Sequence, residues 1–69
     1  EYIEKLPSSE LKIDKKFVQH MAQSEESRAV VRATIEIAHS LGKVVVAEGV
    51  EDLAVAAALR AMGCDQAQG

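Results

Sequence analysis

Cysteine is nearly missing from this sequence: Cys64 stands alone. One thiol cannot form an internal disulfide, and no CxxC or Cys/His cluster is present to hold structural zinc. A lone unpaired cysteine fits a reducing compartment, so a cytoplasmic location is expected. Excess positive charge is missing too. The 8 Lys and Arg face 11 Asp and Glu, for a net charge of −3. Binding duplex DNA or RNA through its phosphates needs the opposite balance, so no such partner is expected. No apolar run approaches the roughly 18 residues of a membrane span, and this segment is expected to make no membrane contact. A Gly-rich phosphate loop, an HExxH zinc motif and a Ser-His-Asp spacing are all absent. The chain opens Glu1-Tyr2-Ile3, without an initiator Met or a signal-peptide pattern, and stops at Gln68-Gly69. Such ends lead to the expectation of one piece of a larger domain.

What is there is an ordinary soluble composition, 48% hydrophobic and 28% charged over 69 residues. A chain this short buries only about 60% of the surface that it exposes when unfolded. Chains of this size usually need a disulfide, a metal or a partner to be stable.

The pattern along the chain alternates strand and helix. Leu11-Lys12-Ile13 is a short strand candidate, entered through the turn signal Pro7-Ser8-Ser9. Asp14 can cap a short helix that carries Phe17, Val18 and Met21 at helical spacing. Ser24 can cap the next helix, with Glu25 and Glu26 at the positive end of its dipole. In that helix Val30, Val31, Thr34, Ile35, Ile37, Ala38 and Leu41 form the apolar side, and Arg28, Arg32, Glu36 and Ser40 the polar side. Gly42 stops it.

Val44-Val45-Val46-Ala47 is a continuous β-branched run, the pattern of a strand buried on both faces in a parallel sheet. Asp52 can cap a third helix, with Val55, Ala56, Leu59 and Met62 on one face and Gly63 after it. A last short strand is expected within Cys64 to Gln68. The order is that of βαβ units with short loops and right-handed crossovers. The fold class is α/β, part of a barrel or of a doubly wound sheet. A whole barrel needs eight strands and typically about 250 residues.

The period of two places Lys12 and Asp14 on one face of the first strand, opposite Leu11 and Ile13. Glu48 ends the second strand and Gln68 the third. Active sites of parallel α/β folds are built at strand C-termini, and all four polar groups fall there. Glu48 is the strongest candidate, because a buried strand holds a side chain more rigidly than a loop does. Plain structural roles stay open. Lys12 and Glu48 can form an ion pair at the barrel mouth, and Asp14 can be only a helix cap. Gln68 can be one polar residue at a strand end. His20 and His39 read as surface residues on helices, and Cys64 as a small buried hydrophobe.

Three segments, taken together, resemble the C-terminal part of the EAL domain, the bacterial cyclic di-GMP phosphodiesterase. The first is Leu6-Pro7, then Glu10-Leu11-Lys12-Ile13-Asp14 and Phe17-Val18. The second is Ala38-His39-Ser40-Leu41-Gly42 followed by Val45-Val46-Ala47-Glu48-Gly49-Val50-Glu51. The third is Leu59-Arg60-Ala61-Met62-Gly63-Cys64-Asp65 followed by Ala67-Gln68-Gly69. Their order and spacing cover essentially the whole chain.

The resemblance implies a TIM-like (β/α) barrel, of which residues 1–69 are the C-terminal part of a single domain. It implies a reaction in which two divalent metals, Mg²⁺ or Mn²⁺, activate a water that opens cyclic di-GMP to linear pGpG. It matches Lys12 to the lysine beside the attacking water and phosphate. It matches Glu48 to a glutamate at the metal–water centre, as metal ligand or acid/base. It matches Gln68 to a glutamine at the site rim or metal shell, and Asp14 to the motif aspartate behind it. Gln66 departs from the apolar or aromatic residue of many relatives, and Ser9 from a frequent aspartate. The resemblance implies that the Glu-Ala-Leu signature, the metal-binding Asn and Glu and the paired aspartates, which residues 1–69 lack, would lie upstream of Glu1.

The segment by itself is therefore expected to be inactive. Partner chains, as further copies or as the rest of the domain, are expected to cover its strand edges and helix faces. A catalytically inactive EAL domain, acting as a cyclic di-GMP receptor or a protein-interaction module, is the alternative.

Overall fold

A computed structural model describes residues 9–69. Pro7 and Ser8 of the first turn signal, and Leu6 of the first matching segment, lie outside the described residues. The elements are β1 (Glu10–Ile13), α1 (Lys15–His20), α2 (Glu25–Ser40), β2 (Val44–Ala47), α3 (Leu53–Ala61) and β3 (Gln66–Ala67). No helix among them is long and apolar enough to cross a membrane.

All three expected caps form. The Asp14 carboxylate accepts from Lys16 N at 3.1 Å, Ser24 Oγ from Ser27 N at 3.1 Å, and Asp52 Oδ1 from Ala54 N at 2.7 Å. Each satisfies an amide that the helix itself leaves without a partner. Ser24→Ala should lower the unfolding free energy by about 1 kcal/mol in urea titration. Ser24→Asp should leave it close to wild type.

The sheet is parallel throughout, in the order β1-β2-β3. Within these three strands the winding runs one way. Crossovers of one hand that always add the next strand on the same side place every helix on one face. This is single winding, the arrangement of a barrel wall and also of one half of a doubly wound sheet.

The helix-side core bears this out. Ile13, Val45 and Ala47 are buried there with Val18 and Met21, with Val31, Ile35 and Ala38 of α2, and with Val55 and Leu59 of α3. The other face carries the row Lys12, Val46 and Gln66, set side by side by register. Val46 is buried but stands outside the helix-side cluster.

The apolar side of α2 is narrower than its composition suggested. Val31, Ile35 and Ala38 are buried, but Val30, Ile37 and Leu41 are 53%, 61% and 67% exposed. The three exposed residues form an adjacent stripe, rotated away from the sheet. Phe17 of α1 is likewise half exposed, whereas Val18 and Met21 are buried. Spacing finds apolar residues on a helix, but it cannot say which of two neighbouring stripes meets the sheet.

Candidate active site

The three strands converge at their C-terminal ends on a short clamped turn. Glu48 N donates to Ile13 O at 3.1 Å, which ties the turn to β1. Gln68 N donates to Ala47 O at 2.8 Å, and Val50 N to Gln68 O at 2.7 Å, which ties it to the end of β3. The Glu48-Gly49-Val50 backbone is thus held from both sides, and its carboxylate is projected from a fixed base. Gly49 makes the turn with φ +72° and packs against Lys15 at the start of α1.

Lys12 points from the helix-free face toward this turn. Its Nζ stands 3.9 Å from Glu48 Oε2, with the side chains 59% and 39% exposed. An exposed pair that long contributes between about 0 and 1 kcal/mol. The two opposite charges, one on β1 and one on the turn after β2, both remain open to solvent.

Asp14 sits at the same end of β1, with one carboxylate oxygen on Lys16 N. Asp14→Ser keeps that cap but removes the charge. If Asp14 acts only as a cap, the serine variant should match wild type in melting temperature and activity, and Asp14→Ala should lose about 1 kcal/mol. Gln68 is exposed, and its backbone is the link between β2 and the Glu48 turn.

A hard divalent cation takes carboxylate and amide oxygens, so Glu48 and Gln68 have the right donor chemistry for one. Their number falls short: among the described residues, no three His, Cys, Asp or Glu side chains come together to hold a metal ion. Glu48 fits one place in a metal shell and not a whole shell.

Sequence spacing gave no sign of one polar cluster. His39 lies at the surface as expected, but its Nε2 is 2.8 Å from Asp65 Oδ2. Because a carboxylate only accepts, Nε2 is the donor in this contact. The same oxygen accepts from Val45 N at 2.7 Å. The bond from His39, and then that from Val45, hold the Asp65 carboxyl below the usual aspartate range. A lowered native value stabilises the fold above the unfolded value of about 4, and that contribution disappears as pH falls through the native value. Urea midpoints should therefore drop on acidification below about pH 4, and Asp65→Asn should flatten that part of the curve.

Cys64 is half-buried, with Sγ donating to Gln66 O at 3.2 Å. Burial pushes its thiol above the ordinary range, which leaves a packed thiol and not a reactive thiolate.

The EAL domain model matches residues 1–69, the whole chain. The chain belongs to the EAL domain family. An uncharacterised protein of Azorhizobium caulinodans is 53% identical over 68 residues, covering 99% of this chain and 9% of that protein. MucR of Pseudomonas aeruginosa, a bifunctional diguanylate cyclase/cyclic di-GMP phosphodiesterase, is 40% identical over 68 residues, covering 99% of this chain and 10% of MucR. Among solved structures, the PaMucR phosphodiesterase in complex with c-di-GMP superposes with a TM-score of 0.85 at 41% identity, over 93% of this chain and 26% of that one. This EAL chain thus spans about a tenth of the length of the curated relatives it matches. Its singly wound parallel sheet is a section of the TIM-like barrel of EAL domains.

Proposed function

We propose that this segment is the C-terminal part of one EAL domain and supplies part of the site that hydrolyses cyclic di-GMP to linear pGpG. The observation that carries this is the meeting of Lys12 and Glu48 at the C-terminal ends of β1 and β2, on the helix-free face. Family membership supports the substrate, and the strand-end geometry supports the roles. The Lys12 ammonium binds a phosphodiester oxygen and offsets the charge that builds up during attack. Glu48 ligates metal or takes a proton from the attacking water. Gln68 orients water or ligand at the rim. A bound pair of Mg²⁺ or Mn²⁺ ions would supply a water of lowered pKa, with most ligands coming from outside residues 1–69.

The isolated 69-residue chain is then inactive, because Glu48 alone cannot assemble that centre. The test is to incubate the complete protein with Mg²⁺ and, separately, Mn²⁺ and cyclic di-GMP, and to follow pGpG by chromatography. Formation of pGpG by the complete protein, with none from residues 1–69 alone, is expected. Binding of cyclic di-GMP without any pGpG overturns the hydrolase in favour of a receptor.

A further inference from the structure

β3 has only two residues in register with β2, Gln66 beside Val46 and Ala67 beside Ala47. So short a ladder fixes its register poorly. Asp65 makes up the deficit. Its backbone N donates to Val45 O at 3.1 Å, and its carboxylate accepts from Val45 N at 2.7 Å. Both main-chain groups of Val45 are thus gripped by one residue. The side chain does what a strand carbonyl would do if β3 began earlier. From the opposite side, His39 at the last turn of α2 holds the same carboxylate oxygen at 2.8 Å. Three residues further on, Gln68 reaches the Glu48 turn.

A slip of one residue in β3 turns every side chain on it to the other face. We propose that Asp65, held by His39, is a positioning residue that pins the register of β3 and thereby sets where Gln68 stands beside Glu48. Neither residue touches the site. Their link to activity rests on the hydrolase reading above, whereas the pin itself does not.

The experiment uses the complete protein with Asp65→Ala, Asp65→Asn and His39→Ala. Amide hydrogen exchange, the number of cyclic di-GMP sites by calorimetry, and the kcat for pGpG formation are read on each. Asp65→Ala should lose protection at the Val45 and Gln68 amides and keep it at Ile35 in α2. Its binding stoichiometry should stay at wild type, while kcat falls about 10- to 100-fold, the usual effect of removing a residue that orients a ligand group. Asp65→Asn, which can still accept from Val45 N, should recover most of both. His39→Ala should change both in the same direction but less.

Unchanged protection at Gln68 in Asp65→Ala overturns the pin. So does a kcat loss matched by an equal loss of binding sites, since that is unfolding, or a failure of Asp65→Asn to recover either readout. If the wild-type protein forms no pGpG, the hydrolase reading fails and amide exchange alone decides the pin.

Discussion

On the hydrolase reading proposed above, replacing Glu48 by Gln should reduce the rate of cyclic di-GMP hydrolysis by the complete protein about 10²- to 10⁴-fold, the range for losing a positioned acid/base group. The substitution conserves shape and removes only charge and basicity. Its structural cost is small. The backbone bond from Glu48 N to Ile13 O does not involve the side chain, and the pair with Lys12 is long and exposed. Thermal unfolding should therefore stay close to wild type while activity collapses, a separation that a residue important only for folding cannot give.

Lys12→Met, which keeps the stem and drops the ammonium, should also lower kcat, by about 10²-fold or more, as removal of one charge-stabilising donor does. The two variants act on one reacting group, so the double variant should lose far less than the product of the single losses. Full activity in Glu48→Gln would rule out both roles proposed for this carboxylate. A melting temperature that falls in step with activity would assign Glu48 to the fold instead.

Much of this site could be read from residue order. Asp14, Ser24 and Asp52 announce helix starts because a cap depends on one side chain and an amide two or three residues on. Val45 to Ala47 announces a central strand because burial on both faces requires an unbroken apolar run, whereas Val44, which opens the expected run, is 45% exposed at the strand's first position. Lys12, Glu48 and Gln68 fall at strand ends in the sequence, and strand ends are neighbours in any parallel sheet. Their convergence therefore follows once the strands are recognised.

The illegible parts all depend on long-range geometry. Winding direction is a property of how strands are ordered in space, and the same strand–helix alternation serves both single and double winding. The stripe of Val30, Ile37 and Leu41 is as apolar as the buried one beside it, and only the seat of α2 on the sheet separates them. His39 and Asp65 are 26 residues apart, and no local pattern links a last-turn histidine to an aspartate that precedes a two-residue strand. The glycine after Glu48 is legible as a turn residue, but its close neighbour in α1 is not.

That neighbour makes Gly49→Ala the substitution with the largest expected effect on stability. The backbone there has φ +72°, a region that costs a non-glycine residue about 1 to 2 kcal/mol. Any β-carbon added at Gly49 would also overlap Lys15 Cβ and stand 3.3 Å from Lys15 Cα. Those atoms are fixed to the first turn of α1 and cannot swing aside as the tip of a flexible side chain could. Relieving the overlap requires moving α1 or the turn, at a further cost of about 1 to 3 kcal/mol. Roughly 2 to 5 kcal/mol should therefore be lost in urea unfolding.

Gly42→Ala is the control. Its φ is +75°, but a β-carbon there would meet nothing within 4 Å, so only the backbone term applies. A second variant isolates the overlap. Lys15→Gly removes the opposing β-carbon, so Gly49→Ala should cost measurably less in that background than in wild type, with a coupling of about 1 kcal/mol or more between residues in contact. Additive costs in that cycle would refute the overlap and leave φ as the whole reason for glycine. The same variant tests how the turn serves the site. If the Gly49 turn is what aims Glu48 at Lys12, folded Gly49→Ala protein should hydrolyse cyclic di-GMP more slowly than folded Gly42→Ala protein at equal occupancy, and Lys15→Gly should restore part of that rate.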